Sequence, residues 1–148
     1  MMKKFSFSLQ RVLTLKERKE ELLRQELSRL LFKRSQHEHV RFYYENLLKE
    51  EHEKIREQTT FINEDRQQAE RHTSEIRNQI YHQQILIQEY NIKIEKKRQE
   101  IMENRKEIKT MERLKEHQLE DYNSEVMIDE RRTMDEIANR STFVNTQR

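Results

Sequence analysis

Five isoleucines, Ile80, Ile87, Ile94, Ile101 and Ile108, follow one another at intervals of seven residues. Gln83, Tyr90, Lys97 and Asn104 stand between them, and the series reaches back to Ile76 and on to Met111. An apolar repeat of seven draws one stripe along an α-helix and keeps that stripe turned toward a partner helix. A weaker stripe precedes it: Leu23, Leu27, Leu30, Arg34, His37, Arg41, Tyr44, Leu48, Glu51, Ile55, Gln58 and Ile62. Seven of those twelve positions are apolar, against eight of the eleven from Ile76 to Met111. Two such arms predict an all-α fold of two long helices forming an antiparallel coiled-coil hairpin.

The first helix is expected over about 8–62, with Ser8 as its N-cap and Leu9, Val12 and Leu13 opening its apolar side. The second is expected over about 75–140, with a polar tail at 141–148, all within a single domain spanning 1–148. Ala69 is the lone apolar residue from Asn63 to Glu75. The reversal is placed within 63–75 for that reason, with Thr73 or Ser74 available to cap the new helix. One unbroken helix that dimerises is the competing arrangement, and the two similar arms about a polar midpoint favour the hairpin. A reversal near 69 makes facing residues add to about 138, so that Leu48 meets Tyr90, Leu30 meets Ile108 and Leu27 meets Met111. Arg34 and Arg41 then face Asn104 and Lys97, a cationic stretch that would stay wet, be splayed or be held by outside acids. After Met111 the apolar residues Leu119, Tyr122 and Val126 are out of phase, which predicts a stutter there. Each arm would be on the order of 90 Å if fully helical. Each well-buried ladder isoleucine would contribute roughly 1.5–3 kcal/mol before entropy is counted.

Composition narrows the alternatives. The 148 residues are 39% charged and 32% hydrophobic, with no Gly, Pro, Cys or Trp. A compact β or α/β domain needs residues suited to positive φ and to chain breaks, and this chain has neither Gly nor Pro to supply them. Low hydrophobicity alone would also suit disorder, but a sustained heptad argues for helices. Without cysteine there are no disulfides and no thiolate chemistry, which suits a reducing compartment. Met1-Met2-Lys3-Lys4 begins like a signal peptide, yet Ser6, Ser8, Gln10 and Arg11 interrupt any apolar run. No stretch approaches the ~20 apolar residues of a membrane span, so a soluble, cytoplasmic protein is expected. Net charge is +2, unevenly placed: residues 1–41 carry 11 basic and 5 acidic side chains, and residues 111–148 carry 6 and 9.

Catalytic chemistry finds little support. His37-Glu38-His39 is the densest cluster of metal-ligand types, but on a helix residues two apart point about 200° from each other and cannot share one ion. His52, His72, His82 and His117 have no histidine three or four residues away. Asp135-Glu136 would need a desolvated pocket to act as acid or base, and a slender hairpin offers none. A phosphate-cradling loop requires glycine. No enzymatic activity, cofactor or metal is expected. The basic first arm, with Phe42, Tyr43 and Tyr44, raises nucleic-acid binding as a rival reading, with a solvated helix face the plainer explanation. Ile85 and Ile92, with Leu86 beside them, lie opposite the Ile87/Ile94 stripe and form a candidate docking strip.

The two ends carry a recognisable pattern. Phe5-Ser6-Phe7-Ser8-Leu9-Gln10-Arg11-Val12-Leu13 resembles the F-x-F-x-L-Q-x-V-L opening of the FliJ family of flagellar type III export proteins. Leu114-Lys115-Glu116, Tyr122, Glu130 and Asp135-Glu136-Ile137-Ala138-Asn139-Arg140 resemble that family's closing pattern. The resemblance implies a cytoplasmic, non-enzymatic coiled coil similar to the central stalk of rotary ATPases. Its implied partners are the hexameric flagellar export ATPase, the membrane export gate protein and export chaperones, with no nucleic acid. The residues expected to contact the ATPase ring are Phe5, Phe7, Leu9, Arg11, Val12 and Leu13 with Asp135, Glu136, Ile137 and Arg140. Ile76 and Ile80 fit the family's gate-contact pattern, whereas His72, Gln79 and Gln83 depart from it. The alternatives are a nucleic-acid-binding arm, a generic scaffolding coiled coil and the stalk of a virulence-type secretion system.

Overall fold

A computed structural model describes residues 3–57 and 63–146. These form two helices, α1 (Gln10–Glu57) and α2 (Asn63–Thr146), which pack against each other antiparallel as an all-α hairpin. No strand occurs among the described residues. A turn at Ser8 and Leu9 precedes α1, closed by the Gln10 N–H donating to the Phe7 carbonyl at 3.0 Å.

The helix limits differ from those expected. Residues 63–75 are helical throughout, so the break placed there is absent, and the segment joining α1 to α2 lies outside the described residues, as do Gln58 and Ile62. Polar composition does not end a helix when Glu, Arg, Gln and Ala supply good propensity and neither Gly nor Pro intervenes. Thr73 is no cap: its hydroxyl donates to the Ala69 carbonyl four residues back, a mid-helix arrangement. At the other end the helix continues through Thr146, beyond the expected limit near 140.

The register also differs. Lys16 pairs with Glu107, Glu26 with Lys97 and Glu51 with His72, and in each pair the residue numbers add to 123, not about 138. The displacement is close to two heptads. A heptad identifies the face that seeks a partner, but sliding by whole heptads still sets seam on seam.

The chain divides into two compact units, Met1–Glu20 with Glu103–Arg148, and Glu21–Met102. Among the described residues of the second unit, Leu23, Thr73, Ile76, Gln83, Ile87 and Ile94 are buried, the last only 1% exposed. Leu27, Leu30, Tyr44, Leu48, Ile55, Ile80, Tyr90 and Ile101 are half-buried at the intervening seam positions. Polar seam residues find local partners. A His37 ring nitrogen lies 2.7 Å from the Gln83 amide oxygen, and the ring stacks on Tyr90. Arg34 donates to Asn91 at 3.0 Å and lies near Glu38, while Arg41 lies near Glu45. Lys97 donates to Glu26 at 2.7 Å and to Glu100 at 3.2 Å. The cationic stretch expected of Arg34, Arg41 and Lys97 is therefore replaced by separate pairings. Hydrogen bonding to Lys97 holds the Glu26 carboxyl below its usual range, and the same bond raises Lys97.

In the first unit Phe7, Leu13 and Ile108 form a buried cluster, with Phe5 and Met111 packed against it. Asn104, also buried, donates to the Lys16 carbonyl at 2.9 Å, and Lys16 hydrogen-bonds Glu107, lowering that carboxyl. The stutter expected after Met111 falls late, between Tyr122 and Val126. Half-buried Lys115, Gln118 and Tyr122 carry the three-and-four spacing onward while Leu119 faces out. Long polar side chains can occupy such positions by burying their stems. The phase slips only between Tyr122 and Val126, where a second four-residue step follows the first.

Candidate partner-binding surfaces

The N-terminal segment is held on α2 by the very residues that make its motif recognisable. Phe7 and Leu13 point into the cluster with Ile108, and the Phe5 ring stands 5.7 Å from the Tyr122 ring at 50°. Tyr122 donates its hydroxyl to the Lys3 carbonyl at 2.5 Å, and Lys115 donates to Gln10 Oε1 at 2.8 Å. Motif positions from the two ends of the sequence thus meet in two pairs, Phe5 with Tyr122 and Gln10 with Lys115, while Phe7 and Leu13 pack on Ile108 between the motifs. Burial of Phe7 and Leu13 makes them internal supports, while Leu9, Arg11 and Val12 remain on the surface.

Asp135, Glu136, Ile137 and Arg140 are not part of that meeting. They begin thirteen residues beyond Tyr122, about 20 Å along the helix axis at 1.5 Å per residue. All four are exposed. Val126 is half-buried, and every residue from 127 to 145 is exposed. This stretch still carries a half-seam. Met127, Glu130, Met134, Ile137, Ser141 and Val144 fall at intervals of three and four, and four of the six are apolar. Met134 is 70% exposed and Ile137 59%. Of these four apolar residues, the C-terminal motif includes Ile137 alone. The spacing was the available signal, obscured by Arg131, Arg132 and the acidic residues among them.

Ile76 and Ile80, the expected gate-contact residues, lie on the seam face of α2: Ile76 is buried and Ile80 half-buried. Ile85 and Ile92 are exposed on the opposite side, with Leu86 half-buried. His37 and His39 do not converge, since His37 faces Gln83 and His39 faces outward. Among the described residues no three His, Asp or Glu side chains stand together as metal ligands. No described helix is long and apolar enough to cross a membrane.

A search of curated proteins and one of solved structures each found no significant match to this chain. The family model described as the flagellar FliJ protein matches residues 5–147, and the chain therefore belongs to that family, a non-enzymatic component of flagellar protein export.

Proposed function

We propose that this chain is a stalk of the flagellar export apparatus, engaging the hexameric export ATPase through the exposed end of α2 and coupling it to the membrane export gate. The carrying observation is the half-seam of Met127, Met134, Ile137 and Val144 on a stretch with no buried residue from 127 to 145. An apolar heptad exposed to water is stabilised when another surface covers it. A single helix is narrow enough, at about 10–12 Å with side chains, to enter the opening of a ring. Asp135, Glu136 and Arg140 beside Ile137 add charges that orient such a contact without requiring deep burial.

The N-terminal residues divide in role on this reading. Leu9, Arg11 and Val12 are exposed and form a second contact surface, while Phe5, Phe7 and Leu13 hold the N-terminal segment to α2. At the gate, Ile80 is available in the closed hairpin, and Ile76 becomes so only where α1 yields locally. Export chaperones are further partners of the exposed helical faces. The protein works in the cytoplasm, peripheral to the membrane-embedded gate. The flagellar description of the matching family favours this system over a virulence-type one.

Aspartate substitutions at Met134 and Ile137 together test the proposal. Binding to the cognate export ATPase should weaken by at least ~10-fold, because charge would replace two apolar contacts, while the helical melting curve stays unchanged. Unaltered binding with intact folding would remove α2's end from the ring contact.

A further inference from the structure

The second unit has an outward groove on α1 that the stalk reading does not use. Its floor and rim include Leu30, Phe32, Arg29, Lys33, Glu26 and Lys97, around a volume of about 660 Å³. Phe32 is 64% exposed, which leaves most of an aromatic ring in water beside the half-buried Leu30. The ring belongs to a longer exposed stripe on the same helix: Leu22, Gln25, Arg29, Phe32, Gln36, His39 and Tyr43. These positions are spaced by three and four, the spacing of the seam itself, and they include no acidic residue. A stripe of that kind suits a further helix packed against α1, since another heptad face is its geometric complement.

Charge selects the kind of helix. Glu26 is the groove's acid, and it is engaged by Lys97, which also reaches Glu100. Arg29 adds a weaker pull on the Glu26 carboxyl, yet neither it nor Lys33 makes an ion pair within 4.0 Å with a described residue, so both can also meet an incoming group. The apolar part favours a partner with leucine-like side chains over a bare polyanion, and the cations favour acidic residues flanking them. We propose that this groove docks an acidic amphipathic helix of a partner protein, which would lie on α1 as a third helix with Phe32 as its main apolar anchor and Arg29 and Lys33 as its charge contacts.

The test uses the full chain and a fluorescein-labelled helical peptide of about 18 residues, with Leu at its a and d positions and Glu at e and g, the composition of a helix-in-groove ligand. Anisotropy titrations should show saturable binding. Affinity should fall by at least ~10-fold on Phe32→Ala, and similarly on Arg29→Glu with Lys33→Glu, as expected for an anchor and its charge contacts. A scrambled peptide, and one with Lys in place of Glu, should bind at least ~10-fold more weakly, because they lose the apolar register or the complementary charge. All substituted positions are exposed, so circular dichroism should confirm unchanged folding before each titration. Absent peptide binding, equal binding of the scrambled peptide, or indifference to the groove variants would overturn the proposal. A labelled oligouridylate that binds where the acidic peptide does not, and is lost on Arg29→Glu with Lys33→Glu, would assign the groove to nucleic acid and equally overturn it.

Discussion

Ile94 and Ile137 lie on the same helix, each on a stripe spaced by three and four, yet one is 1% exposed and the other 59%. The first stripe is covered by α1 and the second by nothing among the described residues. The contrast separates two uses of one pattern. A heptad covered from within contributes to folding, whereas one left open is stable in water only because α2 is already helical and becomes valuable when a partner arrives. Family motifs cut across this division. Phe7, Leu13 and Tyr122 serve the covered part, and Asp135 to Arg140 serve the open part.

The largest expected effect is close to all-or-none and concerns the register of the covered part. With Glu26→Cys and Lys97→Cys in one chain, a short bis-maleimide should close the pair within a monomer. Glu26→Cys with Glu112→Cys, the pairing of the displaced register, should remain open. Cross-linking of the second pair alone would mean that α1 and α2 meet two heptads away from the arrangement described. Next in size, Ile94→Ala should lower unfolding free energy by roughly 2–5 kcal/mol in urea titration, the range for deleting a buried aliphatic side chain. Ile137→Ala should stay within about 0.5 kcal/mol, as surface changes do. Equal losses would erase the distinction between covered and open stripes.

Asn104 offers a finer probe. Its amide donates to the Lys16 carbonyl from a buried seam position, where a polar residue lowers stability but favours one register. Asn104→Leu should therefore raise stability by about 1 kcal/mol and admit some cross-linking of displaced pairs. The smallest effect is electrostatic. Glu26 and Glu107 have carboxyls lowered by Lys97 and Lys16, so their contribution is present above the ordinary value of 4.5 and is lost as pH falls through their folded values. Lys97 is raised, so its contribution is present below 10.5 and is lost as pH rises through its folded value. Both carboxylates are solvent-facing, so the acid-side drop in melting temperature should be slight and should diminish further in Glu26→Gln with Glu107→Gln.

Much of the fold was legible because side-chain periodicity specifies a helix face. The positions Leu23, Leu27, Leu30, Tyr44, Leu48 and Ile55 on α1 are all sheltered, as are Ile87, Tyr90, Ile94, Ile101, Ile108 and Met111 on α2. Register was not legible from the apolar residues, since Leu48 can sit across from seam positions two heptads apart with similar complementarity. The polar residues held more of that information. Asn104 reaching the Lys16 carbonyl and His37 meeting Gln83 are specific in a way that isoleucine against leucine is not. Polarity does not mark helix ends at 63–75 or 141–146, because in a chain without Gly or Pro no residue enforces a break. At the candidate site, Ile137 was legible from its motif, whereas Met127 and Val144 required knowing that α2 outruns its cover. Phe7 and Leu13 show the converse, since a motif residue can be recognisable because it packs rather than because it binds.

The central claim is that the uncovered end of α2 is the part that meets the ATPase ring. Site-specific photo-crosslinking in the assembled complex tests it most directly, with a benzophenone side chain introduced in turn at Met134, Ile137, Val144 and the exposed Met102. Adducts to the export ATPase from the first three positions and none from Met102 are predicted. Adducts from Met102 alone, with Met134, Ile137 and Val144 silent in an intact complex, would contradict the account.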